Sequence, residues 1–213
     1  MGYTNIIFDL DGTITDSKWD IATAQKWVLG QIGVESLKEE DLFPYIGKTL
    51  EETFSLLLPS SLHSRIPDAT RLYSEYYPPR ALQTTTLFPG VKETLETLHG
   101  HGKRLAIAST KKGEGIRRAV EHFGISAFFS QLQGSDGIPY KPDPSIILKI
   151  LADQQWERED TVMVGDTDKD VLAGRNAGVS TCAVTYGSLT EAELDVYSPD
   201  FIISHFSKLL AIV

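Results

Sequence analysis

Two carboxylates, Asp9 and Asp11, stand two residues apart at the end of a short apolar run, Ile6-Ile7-Phe8. The run reads as a buried β-strand. Side chains alternate along a strand, so residues i and i+2 can face the same side where it ends. Gly12 then lets the chain turn sharply. Two acids at the carboxyl end of a parallel sheet would lie where such folds bind their ligands. One can attack and the other can move a proton. The alternative is a solvated acidic turn, and Asp9-Leu10-Asp11-Gly12-Thr13 taken alone leaves both readings open.

Three further segments bear on that choice. Leu105-Ala106-Ile107-Ala108 is a second buried-strand pattern and ends in Ser109-Thr110-Lys111. Tyr140-Lys141-Pro142-Asp143-Pro144 opens a helical segment, and the apolar strand Thr161-Val162-Met163-Val164 ends in Gly165-Asp166-Thr167-Asp168-Lys169-Asp170. In this order the four segments resemble the four motifs of the haloacid dehalogenase superfamily in its phosphatase branch. The similarity continues through Gly174-Arg175-Asn176-Ala177-Gly178 and covers essentially the whole chain. Asp11 stands where the dehalogenase and phosphonate-hydrolase branches lack a second acid. The pattern Asp9-x-Asp11-Gly12-Thr13-x-x-Asp16-Ser17 is most similar to phosphoglycolate phosphatases, with pyrophosphatase and nucleotidase relatives sharing these features.

The resemblance implies a set of roles. Asp9 would be the nucleophile, forming an aspartyl phosphate. Asp11 would protonate the leaving oxygen and then deprotonate the hydrolytic water. A carboxylate attacking a phosphate dianion needs charge neutralisation, for which Mg²⁺ suits an all-oxygen ligand set. The implied ligands are Asp9, Asp166 and the backbone carbonyl of Asp11. Asp170, expected one helical turn beyond Asp166, would reach the metal directly or through water. Plain helix capping by acids in a first turn is the alternative for Asp166 and Asp170. Ser109, the N–H of Thr110 at a helix start and the N–H of Gly12 would hold the phosphate. Lys141 would neutralise a phosphate oxygen and the crowded carboxylates; its other reading is a surface lysine before a proline-rich turn.

The elements that must position these residues fall into two patterns. After a first strand at Thr4–Phe8, a helix-rich stretch runs from about Ile14 to Leu82. Its first helix would be capped by Asp16 or Ser17 and run toward Gly30, followed by helical patches over 37–47, after Thr49, and over 67–77. No strand is expected there. From Phe88-Pro89-Gly90 onward, helices and buried strands alternate, which means βαβ units and a parallel sheet. The expected fold is α/β: a Rossmann-like parallel-sheet core of residues 1–13 and 84–213, with an α-helical cap of residues 14–83 inserted just after the first motif. The tethers would lie near Thr13–Ser17 and Pro79–Thr85.

Composition narrows the partners. The chain has 213 residues, 41% hydrophobic and 23% charged, in the range of soluble globular proteins. A net charge of −9 without a basic stripe argues against nucleic acid. No apolar run approaches a membrane span. The single cysteine, Cys182, sits in an apolar strand pattern and reads as a core residue, which suits a reducing cytoplasm. No leader is expected before the first strand. The expected partner is a small phosphorylated metabolite, and the expected state is a monomer or weak homodimer.

Gly47-Lys48-Thr49 echoes the end of a nucleotide-binding loop, but Leu42 stands where that motif needs its first glycine. Lys48 either reaches the substrate from a cap loop or sits in a plain helix-connecting turn. His99-Gly100-His101 reads as a helix-ending turn, and Trp19 and Trp27 as packing on one helical face. Two competing functions share the same acids: a sugar phosphomutase of the β-phosphoglucomutase type, and a non-enzymatic phospho-acceptor. The latter's domain is shorter and lacks an insert after its first strand.

Overall fold

In a computed structural model describing residues 2–213, the chain divides into two compact units: Met1–Asp16 with Leu87–Val213, and Ser17–Thr86. The second unit is helical: α1 (Lys18–Ile32), α2 (Leu50–Leu57) and α3 (Ile66–Tyr76), with 3₁₀ turns between them. Its core is Val28, Leu29, Leu42, Phe54, Ala69 and Tyr73. Trp27 stacks on Tyr76 at 3.9 Å and Trp19 meets Phe43 edge-on, although Trp19 stays 42% exposed. Helix α2 starts with a capping box in which Thr49 and Glu52 exchange hydrogen bonds.

Two helical expectations need correction here. Ser17 precedes α1, but its side chain makes no capping hydrogen bond, and Asp16 lies in a two-residue strand where none was expected. The patch over 37–47 is only a 3₁₀ turn, Glu40–Tyr45, because Pro44 inside it has no N–H to continue a helix.

An acid unforeseen in the sequence ties the helical unit together. Asp20, in the first turn of α1, is buried. Its carboxylate accepts from the Thr84 N–H at 3.0 Å and hydroxyl at 2.7 Å, and from the Thr85 N–H at 3.1 Å and hydroxyl at 2.6 Å. The first and last segments of the unit are thereby fastened to one side chain.

The other unit holds the sheet. Its strands are β1 (Asn5–Phe8), β4 (Arg104–Ala108), β5 (Phe129–Gln133), β6 (Thr161–Gly165), β7 (Ser180–Val184) and β8 (Phe201–Ile203), in the order β5-β4-β1-β6-β7-β8, all parallel. The short strands β2 (Thr15–Asp16) and β3 (Thr86–Leu87) pair with each other. Connections run through α4 (Val91–Gly100), α5 (Gly113–His122), α6 (Ser145–Gln154), α7 (Asp168–Ala177) and the unanticipated short α8 (Glu191–Asp195). Strand β1 is buried along its whole length, as a strand covered on both faces must be. It lies between β4 and β6, with Phe8 level with Ile107 and Val164. Cys182 is buried in β7, and burial pushes its thiol up to about 12.

Burial works against ionisation of Asp20, but the Thr85 and Thr84 hydrogen bonds prevail and hold its carboxyl below the ordinary 3.8. A depressed folded value means stability present above the unfolded value and lost as pH falls through the folded one. Asp20→Ala is therefore expected to cost about 2–3 kcal/mol in urea unfolding at neutral pH. That loss should shrink in strongly acidic buffer, where the wild-type carboxylate is itself protonated.

Candidate active site

Neighbouring strand ends bring the candidate site residues together. Asp9 follows β1, Ser109 follows β4 and Asp166 follows β6, and these three strands are adjacent. Lys141 comes from the loop before α6, and Asp170 is the third residue of α7. Asp166 and Asp170 thus converge from a strand end and a helix start, with α7 beginning at Asp168.

Lys141 is the centre of this group and is only 4% exposed. Its ammonium donates to Asp9 Oδ1 at 2.7 Å, to Asp170 Oδ1 at 2.5 Å and to the Ala108 carbonyl at 3.0 Å. The other Asp170 oxygen accepts from the Thr167 N–H at 3.1 Å and hydroxyl at 2.6 Å, so Asp170 also caps its own helix. Asp166, fully buried, accepts from the Thr13 hydroxyl at 3.2 Å and the Ser188 N–H at 2.8 Å. Tyr186 donates its hydroxyl to the Thr13 carbonyl at 3.0 Å, tying the turn before Ser188 to the turn after Asp11. Gly12 has φ +87°, and a Cβ there would run into the Asp166 carboxylate. The glycine thus allows both the turn and the close approach.

Carboxylate oxygens of Asp9, Asp166 and Asp170 lie within 4.8 Å of one another, all buried, and this set could hold a metal ion. Burial raises the Asp9 carboxyl well above its ordinary 3.8; Lys141 opposes this, while Asp170 and Asp166 add to it. Burial and then Asp170 push Asp166 up to about 6, against the Ser188 hydrogen bond. Burial would discharge Lys141, but Asp170 and Asp9 outweigh it and raise the ammonium above its ordinary 10.5.

The remaining predicted residues are placed as follows. Asp11 lies outside the carboxylate cluster and is paired with Lys111, Nζ to Oδ2 at 3.0 Å. The Gly12 N–H is engaged within its own turn, donating to the Thr15 carbonyl at 2.8 Å. Ser109 is buried, and its hydroxyl accepts from the Lys111 N–H at 3.1 Å. Thr110 is not at a helix start, because α5 begins at Gly113; its carbonyl accepts from the Ser135 hydroxyl at 2.7 Å. Lys48 belongs to the helical unit, in the turn before the Thr49 cap of α2. Sequence reasoning missed Thr13, Lys111, Thr167 and Ser188. Only Lys111 carries a signal, as a basic residue three positions after a strand end in an acidic chain.

A family model described as haloacid dehalogenase-like hydrolase matches residues 6–184. A phosphoglycolate phosphatase from Vibrio parahaemolyticus is 32% identical over 216 residues, spanning 98% of this chain and 95% of that protein. Pyrophosphatase PpaX from Bacillus velezensis is 32% identical over 210 residues, with the same coverage of 98% and 95%. A solved hydrolase of the haloacid dehalogenase-like family from Streptococcus pneumoniae superimposes with a TM-score of 0.89 at 30% identity, over 98% of this chain and 97% of that one. An acid cluster on the central strand ends of a parallel sheet defines the class, and the chain belongs to the haloacid dehalogenase-like hydrolase family. Within that family it is an enzyme of the phosphatase group. No helix among the described residues is long and apolar enough to cross a membrane.

The raised carboxyls give a pH-dependent expectation. A group whose folded value lies above its unfolded one binds its proton more tightly in the native state, so stability declines as pH rises between the two values. For Asp166 that window runs from 3.8 to about 6. A divalent cation must displace the same protons. The rise in melting temperature on adding millimolar Mg²⁺ is therefore expected to be larger at pH 8 than at pH 5. A pH-independent shift would remove the cluster as its binding site.

Proposed function

We infer that this protein is a Mg²⁺-dependent phosphomonoester hydrolase that acts on a small phosphorylated metabolite through an aspartyl phosphate on Asp9. The sheet unit is the catalytic core and the helical unit its cap. The observation that carries the reading is the Lys141 ammonium between Asp9 and Asp170, beside Asp166, with a second acid two residues after Asp9. Three buried carboxylates around one ammonium form an oxygen-only donor set with excess negative charge, which fits a hard cation. Asp9, Asp166 and the Asp11 carbonyl would hold it. Asp170, with both oxygens already hydrogen-bonded, would act through a coordinated water. The bound cation would supply charge neutralisation on the phosphate oxygens.

The chain's own residues perform the steps. Lys141 fixes one Asp9 oxygen, and the other attacks phosphorus as the ester bond to the leaving oxygen breaks. Asp11 gives that oxygen its proton, then takes one from the water that cleaves the acyl phosphate. Ser109 and the Thr110 N–H hold phosphate oxygens, with Gly12 keeping the approach open. The names of the relatives favour phosphoglycolate as the first substrate to test, with inorganic pyrophosphate as the second. Release of inorganic phosphate separates both from a mutase. Activity in a cytoplasmic setting by a monomer or weak homodimer completes the reading.

Two predictions test it. Asp9→Asn should abolish phosphate release while leaving the melting temperature close to wild type. Asp11→Asn should lower kcat ~10²–10⁴-fold, and EDTA should silence the wild type until Mg²⁺ is restored. Near-normal release by Asp9→Asn would end the covalent mechanism. The second concerns Lys48, proposed as a cap contact for an anionic group remote from the phosphate. Lys48→Ala should raise KM for phosphoglycolate several-fold yet spare p-nitrophenyl phosphate, which lacks a second anion. Equal effects on both substrates would return specificity to other cap residues.

A further inference from the structure

Lys141 accounts for the nucleophile and Asp170, but a second lysine approaches the other acid. Lys111 Nζ lies 3.0 Å from Asp11 Oδ2 and 3.1 Å from Oδ1, and both side chains are only 16% exposed. Lysine ordinarily keeps its ammonium in water and loses much rotamer freedom when fixed. Here the surroundings are shaped to fix it. The Lys111 N–H donates to the Ser109 hydroxyl at 3.1 Å, and its carbonyl accepts from the Ser135 N–H at 3.1 Å. Its side-chain stem runs past Gly115, where an added Cβ would lie 2.9 Å from both Cγ and Cδ. Its carbonyl lies against Gly134, where a Cβ would lie 2.7 Å from that oxygen. Backbone, stem and ammonium are therefore each constrained, and the ammonium is delivered to Asp11.

We propose that Lys111 is a positioning residue for Asp11, holding its carboxylate in place for proton transfer. The two lysines then divide the two acids: Lys141 orients the group that attacks, and Lys111 the group that moves the proton. The inference rests on the reading of Asp11 as acid and base. The competing role, direct contact of Lys111 with substrate, would act on binding instead.

The test uses the full-length enzyme with Mg²⁺ and its best substrate from a panel of phosphorylated metabolites. Lys111→Met keeps the stem and removes the charge. It should lower kcat by about 10–100-fold, the scale of a misplaced catalytic group, with KM changed less than about twofold. In an Asp11→Asn background the same substitution should lower kcat no further, because the residue it acts through is already disabled. Gly115→Ala supplies an independent probe that leaves the charge in place. It should also lower kcat by crowding the Lys111 stem, while the melting temperature holds or rises, since alanine favours a helix over glycine. A raised KM with unchanged kcat, or a full additional loss in the Asp11→Asn background, would overturn the proposal. Undiminished kcat in Asp11→Asn alone would instead overturn the acid–base role on which it rests.

Discussion

The Lys141 ammonium, held 2.7 Å from Asp9 and 2.5 Å from Asp170, is the charge that lets three carboxylates share a dry sheet edge. Burying an ion is expensive, and burying several of one sign is worse unless opposite charge and hydrogen bonds accompany them. Lys141 meets that need only in part: it keeps its own proton against burial, yet Asp9 and Asp166 still hold theirs more tightly than usual. The remaining excess negative charge is what makes the edge receptive to a divalent cation. Other hydrogen bonds serve the same purpose, from Thr167 to Asp170 and from Thr13 and Ser188 to Asp166. Each fixes an oxygen that would otherwise turn away from its like-charged neighbours.

Strand order turns this electrostatic arrangement into a site. With β1 between β4 and β6, Asp9, Ser109 and Asp166 leave the sheet side by side though far apart in sequence. Glycine completes the fit where side chains would collide. Gly12 spares the Asp166 carboxylate, and Gly187 leaves space for the same group and for the Gly12 carbonyl.

Much of this is legible in the sequence. Arg104–Ala108 and Phe201–Ile203 read as strands and are strands, because apolar runs between breakers leave few alternatives. Asp9 and Lys141 stand in two of the four segments that the sequence singles out, and the structure brings them together. What escaped depends on distance along the chain or on single residues. Asp20 finds its partners at Thr84 and Thr85, which no local pattern foretells. Thr110, expected at a helix start, precedes α5 by a short loop that leaves no mark in periodicity. The constraint on Lys111 comes from Asp11, Ser109 and Ser135 and from Gly115 and Gly134 beside it, none of which its immediate sequence announces.

The central place of β1 has a consequence for biosynthesis. Asn5–Phe8 is translated before its neighbours on both sides, Arg104–Ala108 and Thr161–Gly165, which follow only much later in the chain. The helical unit, Ser17–Thr86, is synthesised entirely within that interval and has its own core and its Asp20 fastening. Domains tend to acquire their structure as units during synthesis. The nascent chain can therefore complete the inserted unit while β1 still waits, exposed and apolar, for either partner. During that delay Ile6, Ile7 and Phe8 lack the neighbours that bury them completely in the finished enzyme.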